Sequence, residues 1–215
     1  QLVSGRFVRA RKAAESVLFQ VRSLESSGDK LGYGARLQAV AHLVAAEAAH
    51  ALQDRAAREQ HHRAALEHAS RVATPETREG VQLRSARWAL DDRDAPGALQ
   101  LLEEMGQGAA RRTLALRIQL KAARMARQTV QGLETARLLA KHRALSETAA
   151  HGVLQGLALE LLGASHDPAQ LLAAWSGLDA HERAMPDVAM QAAERLLVLG
   201  GDASLARQWL VPVWE

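Results

Sequence analysis

Apolar residues recur along most of this chain at the three- and four-residue spacing of an amphipathic helix. In the first stretch the spacing is carried by Val8, Ala14, Val17, Leu18, Val21 and Leu24. Short breaks rich in polar residues, glycine or proline interrupt the pattern, for example "SSGD" at 26–29 and "DDRDAPG" at 91–97. The pattern therefore predicts an all-α protein.

After residue 30 one unit recurs, which consists of a helix, a short polar turn and a second helix, with a period of roughly 35 to 40 residues. The predicted helix pairs are 36–52 with 56–69, 79–90 with 98–105, 111–126 with 130–143, 147–163 with 169–178, and 187–200 with 204–210. A single pair cannot bury both of its faces, whereas stacked pairs share a continuous core. We therefore expect a basic N-terminal helix over residues 1–30, followed over 31–215 by about five repeats in one continuous α-solenoid.

Local signals mark the starts of several helices. An aspartate before a helix can accept hydrogen bonds from the free N–H groups of its first turn, and proline is favoured at its first position. The predicted N-caps are Asp54, Thr74, Asp94, Asp167 and Asp202, with Pro75 and Pro168 in the first turns that follow.

The second helices carry small residues at recurring places, and in this they resemble the tetratricopeptide repeat. The positions are Ala57, Ala64, Ala98, Ala136, Ala173 and Ala206. The resemblance implies a right-handed solenoid of tetratricopeptide-like hairpins. Four tryptophans are interpreted as fillers between hairpins: Trp88, Trp175, Trp209 and Trp214.

Composition narrows the function classes. Apolar residues make up 48% of the chain and aromatic residues only 3%, which favours closely packed helices over a β-sandwich. The absence of cysteine excludes disulfides and thiolate sites. A net charge of +3, spread among acidic residues, does not form the dense patch typical of nucleic-acid binding. No apolar run has the length of a membrane span. The sequence starts at Gln1 without methionine and stops at "LVPVWE" inside an apolar pattern, so we expect a fragment of a longer protein.

His61 and His62 stand side by side in a predicted helix. Adjacent helical residues point about 100° apart, so the two imidazoles cannot easily face one ligand. Metal sites on one helix use a spacing of three or four residues, and no metal site is predicted. The histidines are interpreted as surface or packing residues, with a single axial haem ligand as the alternative.

Two groups of basic residues are candidate binding sites. Arg117, Lys121 and Arg124 share one face of a predicted helix, where they can receive carboxylates from a partner or from a ligand. The second group, near the N-terminus, consists of Arg6, Arg9, Arg11 and Lys12. For both groups the alternative interpretation is a solvated polar surface.

The sequence contains no recognisable catalytic constellation. "SHDP" at 165–168 has a serine, a histidine and an aspartate in succession, but members of a catalytic triad converge in space and do not follow one another along the chain. Paired carboxylates, a phosphate loop and a zinc-protease motif are absent from the sequence. We therefore expect a protein without enzymatic activity.

Three longer strings resemble the soluble repeat region of the proteobacterial HemY family, which is associated with haem biosynthesis. They are "LVAAEAAHALQDRAAREQHHRAAL", "LRIQLKAARMARQTVQGLETARLLAKHRALS" and "LLAAWSGLDAHERAMPDVAMQAAERLLVLGGD". The resemblance extends from about residue 6 to the end. It implies two transmembrane helices before this region, which anchor it on the cytoplasmic side of the bacterial inner membrane, and further repeats after it.

The HemY resemblance also implies a role. The expected function is a non-catalytic protein-interaction scaffold for late haem or porphyrin biosynthesis, whose partners are late-pathway enzymes. Under this resemblance Arg6, Arg9, Arg11 and Lys12 lie next to the membrane, where basic residues remain cytoplasmic and attract anionic headgroups. Two alternatives stay open: a module that binds a tetrapyrrole such as haem, and a tetratricopeptide adaptor that binds a peptide.

Overall fold

The computed structural model describes residues 2–26, 33–72, 75–106, 108 and 112–214. Within these ranges the chain forms twelve helices and no strand. The predicted all-α class is therefore confirmed for the described residues. In the same ranges, no helix is both long enough and apolar enough to cross a bilayer.

The chain divides into two compact units, residues 1–110 and 111–215. The first unit contains α1 (Leu2–Ser26), α2 (Tyr33–Ala51), α3 (Arg55–Ser70), α4 (Pro75–Asp91) and α5 (Ala95–Glu103). Each helix packs against the next, and α2 also contacts α4. The helix predicted near the N-terminus thus packs on α2 within the first unit.

The second unit consists of seven described helices. They are α6 (Thr113–Met125), α7 (Thr129–Lys141), α8 (Glu147–Gly163), α9 (Pro168–Ser176), α10 (Ala180–Arg183), α11 (Pro186–Val198) and α12 (Ala203–Trp214). The first helix of one predicted pair, α8, packs against the first helix of the next pair, α11. This arrangement suits repeated hairpins, while the finer prediction of a right-handed solenoid stays a prediction.

Four of the five turns inside the predicted pairs share one backbone conformation, and Arg143, which lies between two pairs, adopts it as well with a φ of 52°. Gln53, Arg93, Arg127 and Gly200 have φ values of 60°, 63°, 56° and 77° and so lie in the left-handed region. The residue that follows each of them donates a backbone hydrogen bond of 2.8–2.9 Å back into the preceding helix, as the N–H of Asp54 does to the carbonyl of Ala49. This is the helix ending known as the Schellman motif, and it reverses the chain within three residues.

Most of the predicted helix starts are confirmed. Asp54, Asp94 and Asp167 accept hydrogen bonds from the backbone N–H groups of Ala57, Gly97 and Gln170, and Pro168 follows its cap directly. Asp202 accepts one from the N–H of Ser204 at 2.8 Å, and α4 begins at Pro75. The predicted cap Thr74 lies outside the described residues.

Helix α10 has no counterpart among the predicted helices. It is a single turn in which Asp179 and Glu182 cap each other's backbone N–H groups. Arg137 of α7 donates to both carboxylate oxygens of Glu182, whose side chain is fully buried. A four-residue helix held by a distant arginine is too short for a periodic pattern to reveal.

The cores of the two units differ in side-chain size. In the first unit, α2 and α3 meet through alanines, and Ala39, Ala45, Ala49 and Ala65 are fully buried. In the second unit, leucines and tryptophans fill the core, and the rings of Trp175 and Trp209 stack with centroids 4.6 Å apart. The stack joins α9 to α12, which agrees with the predicted role of these tryptophans between hairpins. The side chain of Trp214 lies outside the described residues.

Candidate functional site

The strongest candidate binding surface lies in the second unit, where the three basic residues predicted on one helix face line one pocket. Arg117, Lys121 and Arg124 are exposed along α6, and the pocket holds about 460 Å³. Its other lining residues are Leu120, Met125, Leu139, Leu145 and Glu160. We call this pocket the basic groove.

Local sequence explains why the cations face outward. The opposite side of α6 is apolar and buries Ala115, Leu116, Ile118, Ala122 and Ala123. Burial of that side leaves positions 117, 121 and 124 on the exposed side, because they are spaced by four and three residues.

Close helix packing builds the other wall. A methyl group at Gly132 of α7 would lie 3.3 Å from Leu157 Cδ2 of α8 and 3.8 Å from Ala123 Cβ of α6. The three helices therefore approach each other closely at this point. Glu160 lies one turn further along α8 than Leu157, so the same packing brings its carboxylate to the groove.

Arg117 also fixes the rim of the groove. Its Nη2 atom donates a hydrogen bond of 2.8 Å to the backbone carbonyl of Ala144, in the turn between α7 and α8. This bond holds the turn that carries Leu145, the apolar residue at the end of the groove. A guanidinium has five N–H donors, so the others stay free for a ligand.

The charges of the groove are not neutralised by the described part of the chain. Within it, neither Lys121 nor Arg124 has a carboxylate within 4.0 Å, and the described contact of Arg117 is to a carbonyl. Arg137 of the same unit, by contrast, is paired with the buried Glu182, which raises the pKa of the arginine. With three cations and only Glu160 as a carboxylate, the groove suits an anionic ligand.

A second pocket adjoins the groove at Leu145, which lines both. It holds about 610 Å³, and its polar residues are Arg143, Glu147, His151 and His181. The rings of His151 and His181 meet edge to face with centroids 6.2 Å apart. We call this space the imidazole pocket. Helical spacing does not group these residues, because α8 and α10 bring them together only through tertiary packing.

The first unit has a pocket of about 640 Å³ beside Trp88, with His50, Arg58, His62, Ser85 and Asp92 in its walls. Its polar groups satisfy one another. Arg58 Nη1 donates to Asp92 at 2.7 Å and contacts His50 Nδ1 at 2.9 Å, while His62 Nε2 pairs with the Ser85 hydroxyl. Because its cations are paired, this pocket attracts an anion less strongly than the basic groove does.

The two adjacent histidines lie on different sides of α3. His61 Nδ1 lies 3.0 Å from Nδ1 of His42 on α2, whereas His62 contacts Ser85 and the Trp88 ring on α4. The two imidazoles therefore do not converge on one metal ion. An axial haem ligand at either position stays a prediction. Iron at Nε2 of His62 would displace the Ser85 hydroxyl, whereas the described contact of His61 uses Nδ1 and not Nε2.

Burial keeps these imidazoles neutral. The pKa of His42 is lowered to about 4, first by burial and then by the neighbouring His61, His68 and Arg22. Burial also lowers the pKa of His61 and of His62. The rings of His42 and His68 stack with centroids 5.5 Å apart.

The N-terminal basic residues lie on α1. Arg6, Arg9 and Lys12 are exposed, but Arg11 lies half-buried with Nη1 3.5 Å from Asp54 and Nε 3.8 Å from Glu15. Arg11 therefore also ties α1 to the turn between α2 and α3. The role of this cluster next to a membrane stays a prediction.

Among the described side chains, no three histidine, aspartate or glutamate residues are grouped so that they could hold a metal ion. Asp167 of "SHDP" caps α9, as predicted for this position. Comparison with family models, with curated proteins and with solved structures finds no match to this chain.

Proposed function

We propose that this chain is a non-catalytic protein-interaction scaffold and that the basic groove is its binding surface. One observation carries the proposal: Arg117, Lys121 and Arg124 line one open groove over an apolar floor, with no carboxylate paired to Lys121 or Arg124 among the described residues. Unpaired cations beside apolar surface suit a protein segment that offers both carboxylates and apolar side chains.

The biological setting of the proposal comes from the HemY resemblance. Under it, the scaffold serves late haem or porphyrin biosynthesis on the cytoplasmic side of the bacterial inner membrane and holds late-pathway enzymes. The repeated left-handed turns at Gln53, Arg93, Arg127 and Gly200 support the accompanying proposal of a tetratricopeptide-like solenoid.

Retention of late-pathway enzymes by the immobilised chain tests the scaffold function. We expect the chain to retain at least one such enzyme and to turn over no porphyrin substrate. The variant Arg117→Ala/Lys121→Ala/Arg124→Ala should lose that retention. A matched control removes three exposed arginines of the first unit, Arg63→Ala/Arg78→Ala/Arg87→Ala, and should keep it. Failure to retain any such enzyme, or equal loss in both variants, would argue against the proposal.

A tetrapyrrole-binding module is the second candidate function. One observation favours it: the cations of the basic groove adjoin the imidazoles of His151 and His181 across Leu145. Cations can pair with propionates, and an imidazole can ligate iron.

A haemin titration followed by absorbance tests this second candidate. Saturable binding that is lost in Arg117→Ala/Lys121→Ala/Arg124→Ala or in His151→Ala would support it, and His61→Ala/His62→Ala tests the ligand predicted from sequence. Weak binding that survives all three variants would instead indicate nonspecific adsorption.

A further inference from the structure

We infer that the occupant of the basic groove is an extended acidic segment of about four residues, with two carboxylates that flank an apolar side chain. The inference rests on the proposed scaffold function and specifies the chemistry of its partner. It follows from the charge, the length and the volume of the groove.

The charge of the groove determines the sign of the charge on its occupant. Three exposed cations line the wall formed by α6, and one carboxylate, Glu160, faces them from α8. The floor between them is apolar, with Leu120 and Leu139, and Leu145 lies at its end. A ligand that carries only charge would leave this floor in water, whereas an apolar side chain between two carboxylates covers it.

The length of the row of cations on α6 determines the spacing of the two carboxylates of the occupant. Arg117 and Arg124 are seven residues apart on α6, which corresponds to about 10 Å along the helix axis. In the polyproline II form of an extended chain, which has three residues per turn and advances about 3.1 Å per residue, carboxylates three residues apart face the same side and span about 9 Å. Lys121 lies between the two arginines and can pair with either carboxylate.

Volume favours an extended segment over a helix. A helix is about 10 to 12 Å wide, and over 10 Å of length it occupies roughly 800 Å³ or more. The groove holds about 460 Å³. A helix would therefore leave much of its cross-section outside the groove, whereas an extended backbone fits within it.

The test uses short peptides and the full chain, labelled with ¹⁵N and followed by NMR chemical shifts. The probe peptide is acetyl-GELSEG-amide, and the matched controls are GQLSQG, which lacks the charges, and GEGSEG, which lacks the apolar side chain. We expect saturable shifts at residues 117–125 and 144–160 with the probe, and binding at least fivefold weaker with each control. Equal binding of the probe and GQLSQG would overturn the inference.

Two variants and a change of salt make the test independent of folding. Glu160→Gln should strengthen probe binding by about twofold or more, because it removes a like charge from the groove. Lys121→Glu/Arg124→Glu should lose the acidic probe and gain the basic peptide GKLSKG. Raising the salt from 50 to 500 mM should weaken probe binding, because the Debye length shortens. No response to Glu160→Gln or to the charge reversal would overturn the inference.

The outcomes separate this inference from the proposed function. Retention of a pathway enzyme through the groove, without selective binding of the probe, would leave the scaffold in place and refute only the chemistry of the occupant. Selective binding of the probe, without retention of any pathway enzyme, would support the occupant and refute the haem-pathway setting.

Discussion

At the scale of single residues, several residues adopt a backbone conformation or a degree of burial that is unfavourable for their type. Gln53, Arg93, Arg127 and Arg143 adopt left-handed backbone conformations that favour glycine. His42 is almost fully buried as a neutral imidazole. Both the left-handed conformations and the burial of His42 should have measurable effects on the free energy of unfolding.

The first prediction concerns Arg127, whose φ is 56° and whose side chain is exposed. Arg127→Gly should stabilise the protein by about 0.5 to 1 kcal/mol, because relief of the left-handed conformation exceeds the extra entropy of glycine in the unfolded chain. Urea unfolding measures the change. Arg63→Gly, in the interior of α3, is the matched control and should cost about 1 kcal/mol. A loss of stability in Arg127→Gly would contradict the argument.

The second prediction concerns the pH dependence of stability. The pKa of His42 falls from 6.5 in the unfolded chain to about 4 in the folded one. Between these values the unfolded state binds a proton that the native state does not, so the free energy of unfolding falls as the pH drops from 6.5 towards 4. Above 6.5 both states are neutral and the contribution is constant.

His42→Leu removes this titration and nearly preserves the side-chain volume. Near pH 5, the free energy of unfolding of the variant should fall less steeply than that of the parent chain, by up to about 1.4 kcal/mol per pH unit. Urea titrations between pH 4.5 and 8 measure the two slopes. Identical slopes would mean that His42 does not stay neutral in the folded protein.

At the scale of helices, stability depends on the residues that end one helix and begin the next. Before α5, Arg93 in the left-handed conformation ends α4, and Asp94 begins α5 by accepting a hydrogen bond of 2.9 Å from the Gly97 N–H. The Asp94 carboxylate occupies the place that a methyl group at Gly97 would need, only 2.1 Å from Oδ2. The Asp94 cap therefore requires glycine at position 97, and the two residues act together.

The third prediction tests the contribution of the Asp94 cap to stability. Asp94→Ala should destabilise the first unit by about 1 kcal/mol, because it leaves N–H groups of α5 without a partner. Asp94→Asn keeps a side-chain oxygen and should recover most of the loss. Thermal unfolding of both variants measures the difference. An equal loss in both would show that charge, and not the capping hydrogen bond, stabilises the start of α5.

Local signals made the helices predictable. The predicted helix 147–163 matches α8 (Glu147–Gly163), and the predicted caps Asp54, Asp94 and Asp167 are confirmed. The alignment of Arg117, Lys121 and Arg124 was equally predictable, since it depends on positions within one helix. Each of these features depends on residues only a few positions apart.

The rest of the site depends on tertiary packing. Glu160 and Leu145 reach the groove only because α6, α7 and α8 pack together, and His151 meets His181 across 30 residues of chain. The pairing of His61 with His42 likewise connects two helices. A single sequence carries no signal for such contacts, so helical spacing predicts the cations of the groove but not the groove itself.

At the scale of the whole molecule, the two units have different chemistry. His42, His61 and His62, whose pKa values are lowered by burial, lie in the first unit, in which α2 and α3 pack through alanines. The basic groove and the imidazole pocket lie in the second unit, whose core is built from leucine and tryptophan. Mild acid should therefore act unequally on the two units.

The last prediction follows the two units separately by hydrogen exchange and mass spectrometry. When the pH falls from 7 to 5, and after correction for intrinsic exchange rates, peptides from α2 and α3 should lose protection about tenfold or more, because protons bind the opened state of the buried histidines. Peptides from α8 and α11 should keep most of their protection. His42→Leu should reduce the loss in α2 and α3. An equal loss in both units, unchanged by His42→Leu, would mean that acid acts on the molecule through groups other than these imidazoles.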